Sequence, residues 1–186
     1  MLFQYETDRL ILKILKPEYA HMVLDFYNRD RELFEKYETD RLPDFYTAAH
    51  HQKLLRYEYN AAIKQTTIRY YVFLKEDPSS IIGTVCLHDV SKFYYNSAEI
   101  GYKFSSRYHH KGYATEAIKC CLDIAFFNLN LNRITAMVCV GNDSSVHILE
   151  KIGFTLEGTC REYLCLGGQM KDHYLYSMLK HDALRV

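Results

Sequence analysis

The sequence lacks an excess of charge of either sign, because its 186 residues include 23 Lys plus Arg and 23 Asp plus Glu. Without a broad positive field, it has little to attract nucleic acid or an anionic membrane, so we expect neither as a partner. The amino terminus, MLFQYETDRL, places no basic segment before an apolar run. Nor does any uncharged stretch of about 18 apolar residues occur. These absences predict a cytoplasmic protein that recognises its partners locally.

The cysteines lack the spacing of a zinc site or a redox pair. No two of them form a Cys-x-x-Cys motif; the six are Cys86, Cys120, Cys121, Cys139, Cys160 and Cys165. They fall mostly in helical or strand-like runs, where cysteine behaves as a small hydrophobic residue. We therefore predict free, buried thiols without a metal-binding or nucleophilic role.

Proline is scarce too, with three in the chain, and no linker, repeat or low-complexity tract divides it. A single domain over residues 1–186 is expected, which is long enough to bury one good core. Apolar runs and alternation predict strands at 9–15, 68–74, 81–88, 98–104, 134–140, 160–166 and 174–179. Helical spacing predicts helices after Pro17 and at 47–64, 112–127 and 143–152, leaving 29–46 unassigned. This mixture predicts an α+β fold with helices on a central sheet rather than a Rossmann fold.

The segment Ala98–Ala117 ends a predicted strand in a polar loop that runs directly into a helix. The first N–H groups of a helix have no internal partners and, with the helix dipole, favour a bound phosphate. Gly112 removes the side chain that would block close approach, and Lys111 adds a positive charge beside it. An isolated pattern of this kind is also explained by a glycine that merely permits a tight turn.

Further motifs follow in order along nearly the whole chain. They are Thr7–Leu10, Glu99–Tyr102, Lys111–Ala117, Asn132–Ile134, Asn142-x-x-Ser145, Leu149–Phe154, Glu157-Gly158 and Asp172–Tyr176. With these motifs the sequence resembles the GNAT superfamily, in particular the branch of the ribosomal-protein N-terminal (Rim-type) acetyltransferases. The resemblance implies an acyl-CoA-dependent N-acyltransferase. It also implies a mixed, mostly antiparallel sheet of about seven strands with about four helices.

By the same resemblance, acetyl-CoA is the cosubstrate and no metal is required. The family's pyrophosphate loop is Gln or Arg, two residues, Gly, one residue, then Gly or Ala. Here His109 replaces the Gln or Arg, and His110 replaces a frequent Gly, which leaves the CoA affinity and its pH dependence open. The two histidines do not predict a metal site, because no Cys, Asp or Glu stands nearby at ligand spacing. The implied CoA-binding residues are Tyr102, Lys103, Phe104, His109, His110, Lys111, Gly112, Tyr113, Ala114, Thr115, Asn142, Ser145 and Lys151.

The reaction needs a base, because a protonated amine cannot attack a thioester and an α-amino group has a reference pKa of about 8. The resemblance assigns this role to Glu99, directly or through water, although an ordinary strand-surface glutamate is the alternative. Attack of the amine creates a tetrahedral oxyanion, and the resemblance implies that a backbone N–H of residues 102–104 binds it. Many family members have a Tyr seven residues after Asn142, where Leu149 stands here, so Ser145 becomes the candidate general acid. Asn142 and Ser145 also suit a helix N-terminus.

The acceptor is expected between the first two helices, the segment 29–46 and the last strands. The leading acceptor by resemblance is the N-terminal α-amino group of a ribosomal or other protein, with a polyamine or an aminoglycoside as the alternative. A cationic acceptor agrees with the acidic residues Glu32, Glu35, Glu38, Asp40 and Asp44. A non-catalytic acyl-CoA-binding protein would bind CoA without turnover, and a purely structural domain would not bind it. A homodimer through exposed strands stays open.

Overall fold

The computed structural model describes residues 1–183, which are built around one eight-stranded sheet. The strand order is β1-β2-β3-β4-β5-β6-β8-β7. The strands are β1 Gln4–Glu6, β2 Leu10–Lys13, β3 Ile68–Leu74, β4 Gly83–Ser91, β5 Ser97–Phe104, β6 Arg133–Cys139, β7 Thr155–Leu166 and β8 Gln169–Leu179. Within the described residues, β5 and β6 are parallel and the other neighbours are antiparallel. The predicted α+β class and mostly antiparallel sheet are confirmed.

Helices cover the sheet on both faces. They are α1 Ala20–Arg29, α2 Arg31–Glu35, α3 Ala48–Lys64, α4 Tyr113–Asp123, α5 Asp143–Ile152 and α6 Lys180–Ala183. The longest, α3, begins after Thr47, whose hydroxyl accepts a hydrogen bond from the His50 N–H at 3.2 Å. Such a cap satisfies one of the free N–H groups in the first turn. The helix ends where Gln65 adopts a left-handed conformation, with φ of 55°.

The structure adds short elements that the sequence patterns did not predict. The edge strand β1 has three residues with mostly exposed side chains, so its sequence lacks the alternation of apolar and polar residues that predicts a strand. The five-residue helix α2 lies in the unassigned segment 29–46 and buries only Phe34. After Asp123, the predicted helix 112–127 continues as a π-helical turn over Ile124–Asn128. The sheet therefore has eight strands instead of about seven, and the described residues form more helices than predicted.

Two apolar clusters pack on opposite faces of the sheet, and β3 contributes to both. Tyr70 and Val72 point toward α4 and α5, where the larger cluster lies. Tyr71 and Phe73 join the cluster formed with α1 and α3. Alternate residues of a strand face opposite sides, so a strand covered on both faces needs apolar residues throughout. Full burial of each such side chain contributes about 1.5–3 kcal/mol, which explains the unbroken apolar run of β3.

The sheet divides between β5 and β6. In the described chain, their parallel pairing covers only Ser97–Glu99 against Arg133–Thr135. Beyond this point, β5 continues beside β4 to Phe104, whereas β6 continues beside β8 to Cys139. The edge of β5 after Glu99 is therefore left facing a gap in the middle of the sheet.

The thiols are only partly as predicted. All six cysteines are free, and Cys86, Cys121 and Cys139 are buried. Cys165 is exposed, because its strand β7 lies at the edge of the sheet with most side chains in solvent. The prediction of burial is therefore wrong for Cys165. No helix within residues 1–183 is long and apolar enough to cross a membrane.

Candidate active site

A cavity of about 1230 Å³ opens where β5 and β6 separate. Its wall combines β5, the loop before α4, the start of α5 and parts of the segment 29–46. Every residue predicted for the site lines this cavity except Lys111. The Lys111 ammonium instead lies 5.5 Å from the centre of the Tyr108 ring. Pockets for small molecules commonly measure about 300–1,000 Å³, so this volume suits a large ligand together with a second molecule.

The loop before α4 forms an open cradle at the helix N-terminus. Gly112 is the N-cap residue and has a left-handed φ of 79°, and its lack of a side chain leaves the helix without a capping acceptor. The N–H groups of the first turn, at 113–115, are therefore free for a ligand. A Cβ at position 112 would lie 3.4 Å from Nη2 of Arg9. The left-handed conformation explains the glycine, and the open cradle fits a bound phosphate.

An arginine from the start of the chain holds this cradle in place. Arg9 donates from Nη1 to the carbonyl of Lys111 at 3.0 Å and from Nε to Glu116 at 2.7 Å. Thr7 also donates to Glu116, at 2.5 Å. Burial opposes ionisation of Glu116, but the bonds from Thr7 and Arg9 outweigh it and lower the pKa of this carboxyl. The motifs at 7–10 and 111–117 thus meet across about a hundred residues, a contact that sequence analysis did not identify.

The two loop histidines take different positions. His109 donates from Nε2 to the carbonyl of Phe104 at 2.9 Å, which ties the loop to the end of β5. His110 is exposed and adopts a left-handed φ of 59°, a conformation that glycine adopts without steric cost. Their rings therefore do not converge on one point, and their centroids are 6.3 Å apart. Within residues 1–183, no group of three or more His, Cys, Asp or Glu side chains is arranged to hold a metal ion.

Glu99 stands at the point where the sheet divides. It pairs with His88 of β4 across the strands, and its Oε1 lies 3.5 Å from His88 Nε2. Burial raises the pKa of Glu99, with the nearby His88 acting in the opposite direction. The side chain keeps 24% of its surface exposed and lines the cavity. A partly buried carboxyl with a raised pKa has the properties of a proton acceptor working near neutral pH.

Asn142 and Ser145 line the same cavity, at the start of α5. Asn142 is the N-cap, and its Oδ1 accepts from the Ser145 N–H at 3.4 Å and from the Ser144 hydroxyl at 3.0 Å. The Ser145 hydroxyl lies 2.7 Å from the hydroxyl of Tyr102 on β5. Burial raises the pKa of Tyr102 to about 12. A hydroxyl pair of this kind can pass a proton into the cavity. The sequence analysis named Tyr102 as a CoA-binding residue but did not identify it as the partner of Ser145.

Comparison of the sequence with models of known protein families identifies the family of this chain. Residues 9–155 match the model of the acetyltransferase (GNAT) domain. The chain belongs to the GNAT acetyltransferase family. This confirms the predicted enzyme class and superfamily.

The similarity of this acetyltransferase to its relatives extends along most of its sequence. YjcK of Bacillus subtilis, named a probable N-acetyltransferase, is 31% identical over 159 residues, which cover 86% of this chain and 87% of YjcK. The ribosomal protein uS5-alanine N-acetyltransferase of Escherichia coli is 26% identical over 176 residues, covering 95% and 90%. A solved structure, the ribosomal-protein-S5-alanine acetyltransferase from Vibrio fischeri, has a TM-score of 0.90 at 26% identity, covering 96% and 97%. The resemblance to the Rim-type branch is confirmed.

Among the predicted CoA-binding residues, Lys103 and Phe104 have side chains that contact other parts of the protein. The Lys103 ammonium pairs with Glu38 on the segment 29–46, and burial lowers its pKa to about 8. The Phe104 ring fills the space beside Gly83, where an added Cβ would be only 2.4 Å away. Both residues can therefore offer a ligand little more than their backbone. Lys151, on the exposed side of α5, lines the cavity.

Two of the acidic residues predicted to attract a cationic acceptor, Glu35 and Glu38, are engaged within the protein itself. Glu35 accepts from Arg31 at 3.1 Å and from Tyr46 at 2.7 Å. Glu38 is shared by Lys103 and Arg41. These internal cations offset the negative charge of Glu35 and Glu38, which is part of the charge that the sequence offered to a cationic acceptor.

Proposed function

We propose that this acetyltransferase moves the acetyl group of acetyl-CoA to a primary amine, with the N-terminal α-amino group of a ribosomal or other protein as the leading acceptor. The observation that carries the proposal is the gap between β5 and β6, which brings Glu99, Ser145 and the α4 cradle into one cavity. The S5-alanine acetyltransferases among the relatives support the choice of acceptor. A cytoplasmic location goes with such an acceptor and is part of the proposal.

The donor would be held mainly by backbone groups. The free N–H groups of 113–115, with Gly112 as the open N-cap, suit the pyrophosphate of CoA. The edge of β5 after Glu99 has lost its parallel partner, so its N–H groups are available for the pantetheine arm and the thioester oxygen. Such fixed N–H groups stabilise an oxyanion without having to reorganise.

Glu99 is the proposed base. It would take the proton of the acceptor ammonium, directly or through water, so that the amine lone pair can attack the thioester carbon. Because burial raises its pKa, activity should fall as the pH drops through that raised value, where the carboxyl becomes protonated and can no longer accept.

Ser145 is the proposed acid, with Tyr102 behind it. The CoA thiolate leaves as the carbon–sulfur bond breaks, and the Ser145 hydroxyl would supply its proton while accepting another from Tyr102. The Tyr102 phenolate would then take a proton back from water. The 2.7 Å separation of the two hydroxyls permits this transfer. With a pKa of about 12, the phenol keeps its proton at neutral pH.

Replacing Ser145 with alanine should lower kcat about tenfold, because a positioned proton donor commonly contributes at least that much. Tyr102→Phe should lower it by a smaller factor, since the serine hydroxyl remains. The double variant should resemble Ser145→Ala alone, because the two groups act in series. Steady-state rates of thiol release test this, and losses that simply multiply in the double variant would contradict the relay.

The acceptor is tested by measuring CoA thiol release from acetyl-CoA with a panel of amines. The panel contains Ser- and Ala-initiated peptides, the same peptides with blocked amino termini, spermidine and an aminoglycoside. Release with the free peptides and not with the blocked ones supports the proposal. Release with spermidine or the aminoglycoside alone would replace the protein acceptor, and acetyl-CoA binding without release from any amine would favour a non-catalytic binding protein.

A further inference from the structure

An imidazole and a second carboxylate extend from Glu99 toward solvent. His88 lies 3.5 Å from Glu99 through Nε2 and 3.0 Å from Asp89 through Nδ1. The exposed fraction of the side chains rises along this row, from 24% for Glu99 to 36% for His88 and 86% for Asp89. The row therefore connects the cavity with the surface.

The backbone is shaped to make this row possible. Successive residues of a regular strand point to opposite faces, which would separate His88 from the side chain after it. The register between β4 and β5 breaks immediately after His88 pairs with Glu99. Asp89 adopts a left-handed φ of 52°, an uncommon conformation for a residue other than glycine. This irregularity returns the Asp89 carboxylate to the imidazole.

Gly101 of β5 lies beside His88. A Cβ at this position would be 3.8 Å from His88 Nε2, which is an ordinary van der Waals contact. The distance from Nε2 to Glu99 is slightly long for a hydrogen bond. Catalytic hydrogen bonds often tighten only when the substrate is bound.

We propose that His88 accepts the acceptor's proton from Glu99 and passes it to solvent. It is therefore a positioning residue, which acts on the reaction only through Glu99. The inference rests on the proposed function, in which Glu99 takes that proton first. In the second step, the O–H bond of Glu99 breaks and an N–H bond forms at Nε2 of His88. This transfer regenerates the Glu99 carboxylate, and the imidazolium then loses its Nδ1 proton to Asp89 or to water. Exchange with solvent, in which Nε2 gives up its proton and Nδ1 regains one, restores the tautomer that accepts from Glu99 in the next turnover.

The titratable groups around the imidazole are compatible with proton transfer from Glu99 through His88 to solvent. Asp89 on its own strand and Glu99 on β5 place a carboxyl group on either side of the imidazole. On β7, burial and the charges of Glu99 and Asp89 raise the pKa of Tyr163, so this neighbour stays uncharged. On β3, Arg69 is bound by Glu58 at 2.7 Å. The remaining group on this side of β4, Cys86, is buried, and burial raises its thiol pKa.

The relay is tested with His88→Ala, assayed in a non-nucleophilic buffer with and without added imidazole. We expect kcat to fall on the order of tenfold, less than the loss of about 100-fold expected for the base Glu99, because water can partly replace the relay. The KM for acetyl-CoA should stay unchanged. Added imidazole should restore kcat in a saturable way for His88→Ala, but not for Glu99→Gln, which lacks the carboxyl that hands over the proton.

Two further variants separate the relay from a structural role. His88→Gln can still form a hydrogen bond to Glu99 but cannot pass a proton, so it should lose kcat while keeping the thermal stability of the wild type. His21→Ala removes an exposed histidine of α1 and should behave as wild type with or without imidazole. A loss of kcat that imidazole does not rescue, or no loss at all, overturns the relay and leaves the proposed function standing. A wild type without turnover overturns both.

Discussion

Glu99→Gln lowers kcat/KM about 100-fold at neutral pH, because a positioned base typically contributes a factor of at least this size. The amide keeps the shape of the side chain but cannot accept the ammonium proton. In the wild type, the rate should rise with pH as Glu99 ionises, at a pKa that burial places above the usual value for glutamate. In the variant, the rate should instead follow deprotonation of the amine itself, which for an α-amino group occurs at about pH 8.

The pH–rate profiles of wild type and Glu99→Gln measure this difference directly. Glu76→Gln is the matched control, because Glu76 is exposed in the turn between β3 and β4, and it should leave the profile unchanged. A Glu99→Gln enzyme with wild-type kcat/KM and an unaltered profile would remove Glu99 from the mechanism, and the base would then have to be water or another group.

Gly112→Ala is the second change with a large expected effect, and it acts on the donor. The φ of 79° at this position is left-handed, which costs a residue with a Cβ about 1–2 kcal/mol. The added Cβ would also contact Nη2 of Arg9, the residue that holds the cradle, at 3.4 Å. If the loop shifts to relieve the strain, the N–H groups of 113–115 move away from the pyrophosphate. We expect acetyl-CoA to bind about tenfold more weakly, which corresponds to about 1.4 kcal/mol.

The chain offers a close control for this strain. Gly168, in the turn between β7 and β8, has a φ of 74°, and nothing lies within 4 Å of an added Cβ. Gly168→Ala should therefore lower the melting temperature by a similar amount while leaving acetyl-CoA affinity unchanged. Calorimetric titration with acetyl-CoA distinguishes the two variants. Equal affinities for both would show that the α4 cradle does not hold the donor.

Strong local patterns predicted much of the fold. The bounds of β3 at 68–74 and of α5 at 143–152 agree with the sequence analysis. In β3 the apolar run is unbroken because both faces are buried, and in α5 the cap residues and the following Gly153 mark both ends. By contrast, β1 and α2 are short and held by their neighbours, so their own sequences contain little signal.

The candidate site was predictable where it depends on motifs and not where it depends on long-range contacts. The loop around Gly112 and the pair Asn142 and Ser145 follow from local sequence and the family resemblance. The bond from Arg9 to Glu116 joins residues 107 apart, and no local pattern records it. Likewise, the distance between Tyr102 and Ser145 depends on how β5 and α5 pack. His88 was part of a predicted strand, and its function can be inferred only from its partners across the sheet.

The most direct test of the account counts acetyl groups in a single reaction series. Wild type and Glu99→Gln are incubated with acetyl-CoA and an Ala-initiated peptide, and thiol release and acetylated peptide are quantified together by absorbance and mass spectrometry. The account predicts one acetylated amino terminus for each thiol released by the wild type, with both products falling together in the variant. Thiol release without acetylated peptide, or equal yields from both proteins, would contradict direct transfer from acetyl-CoA to an amine with Glu99 as the base.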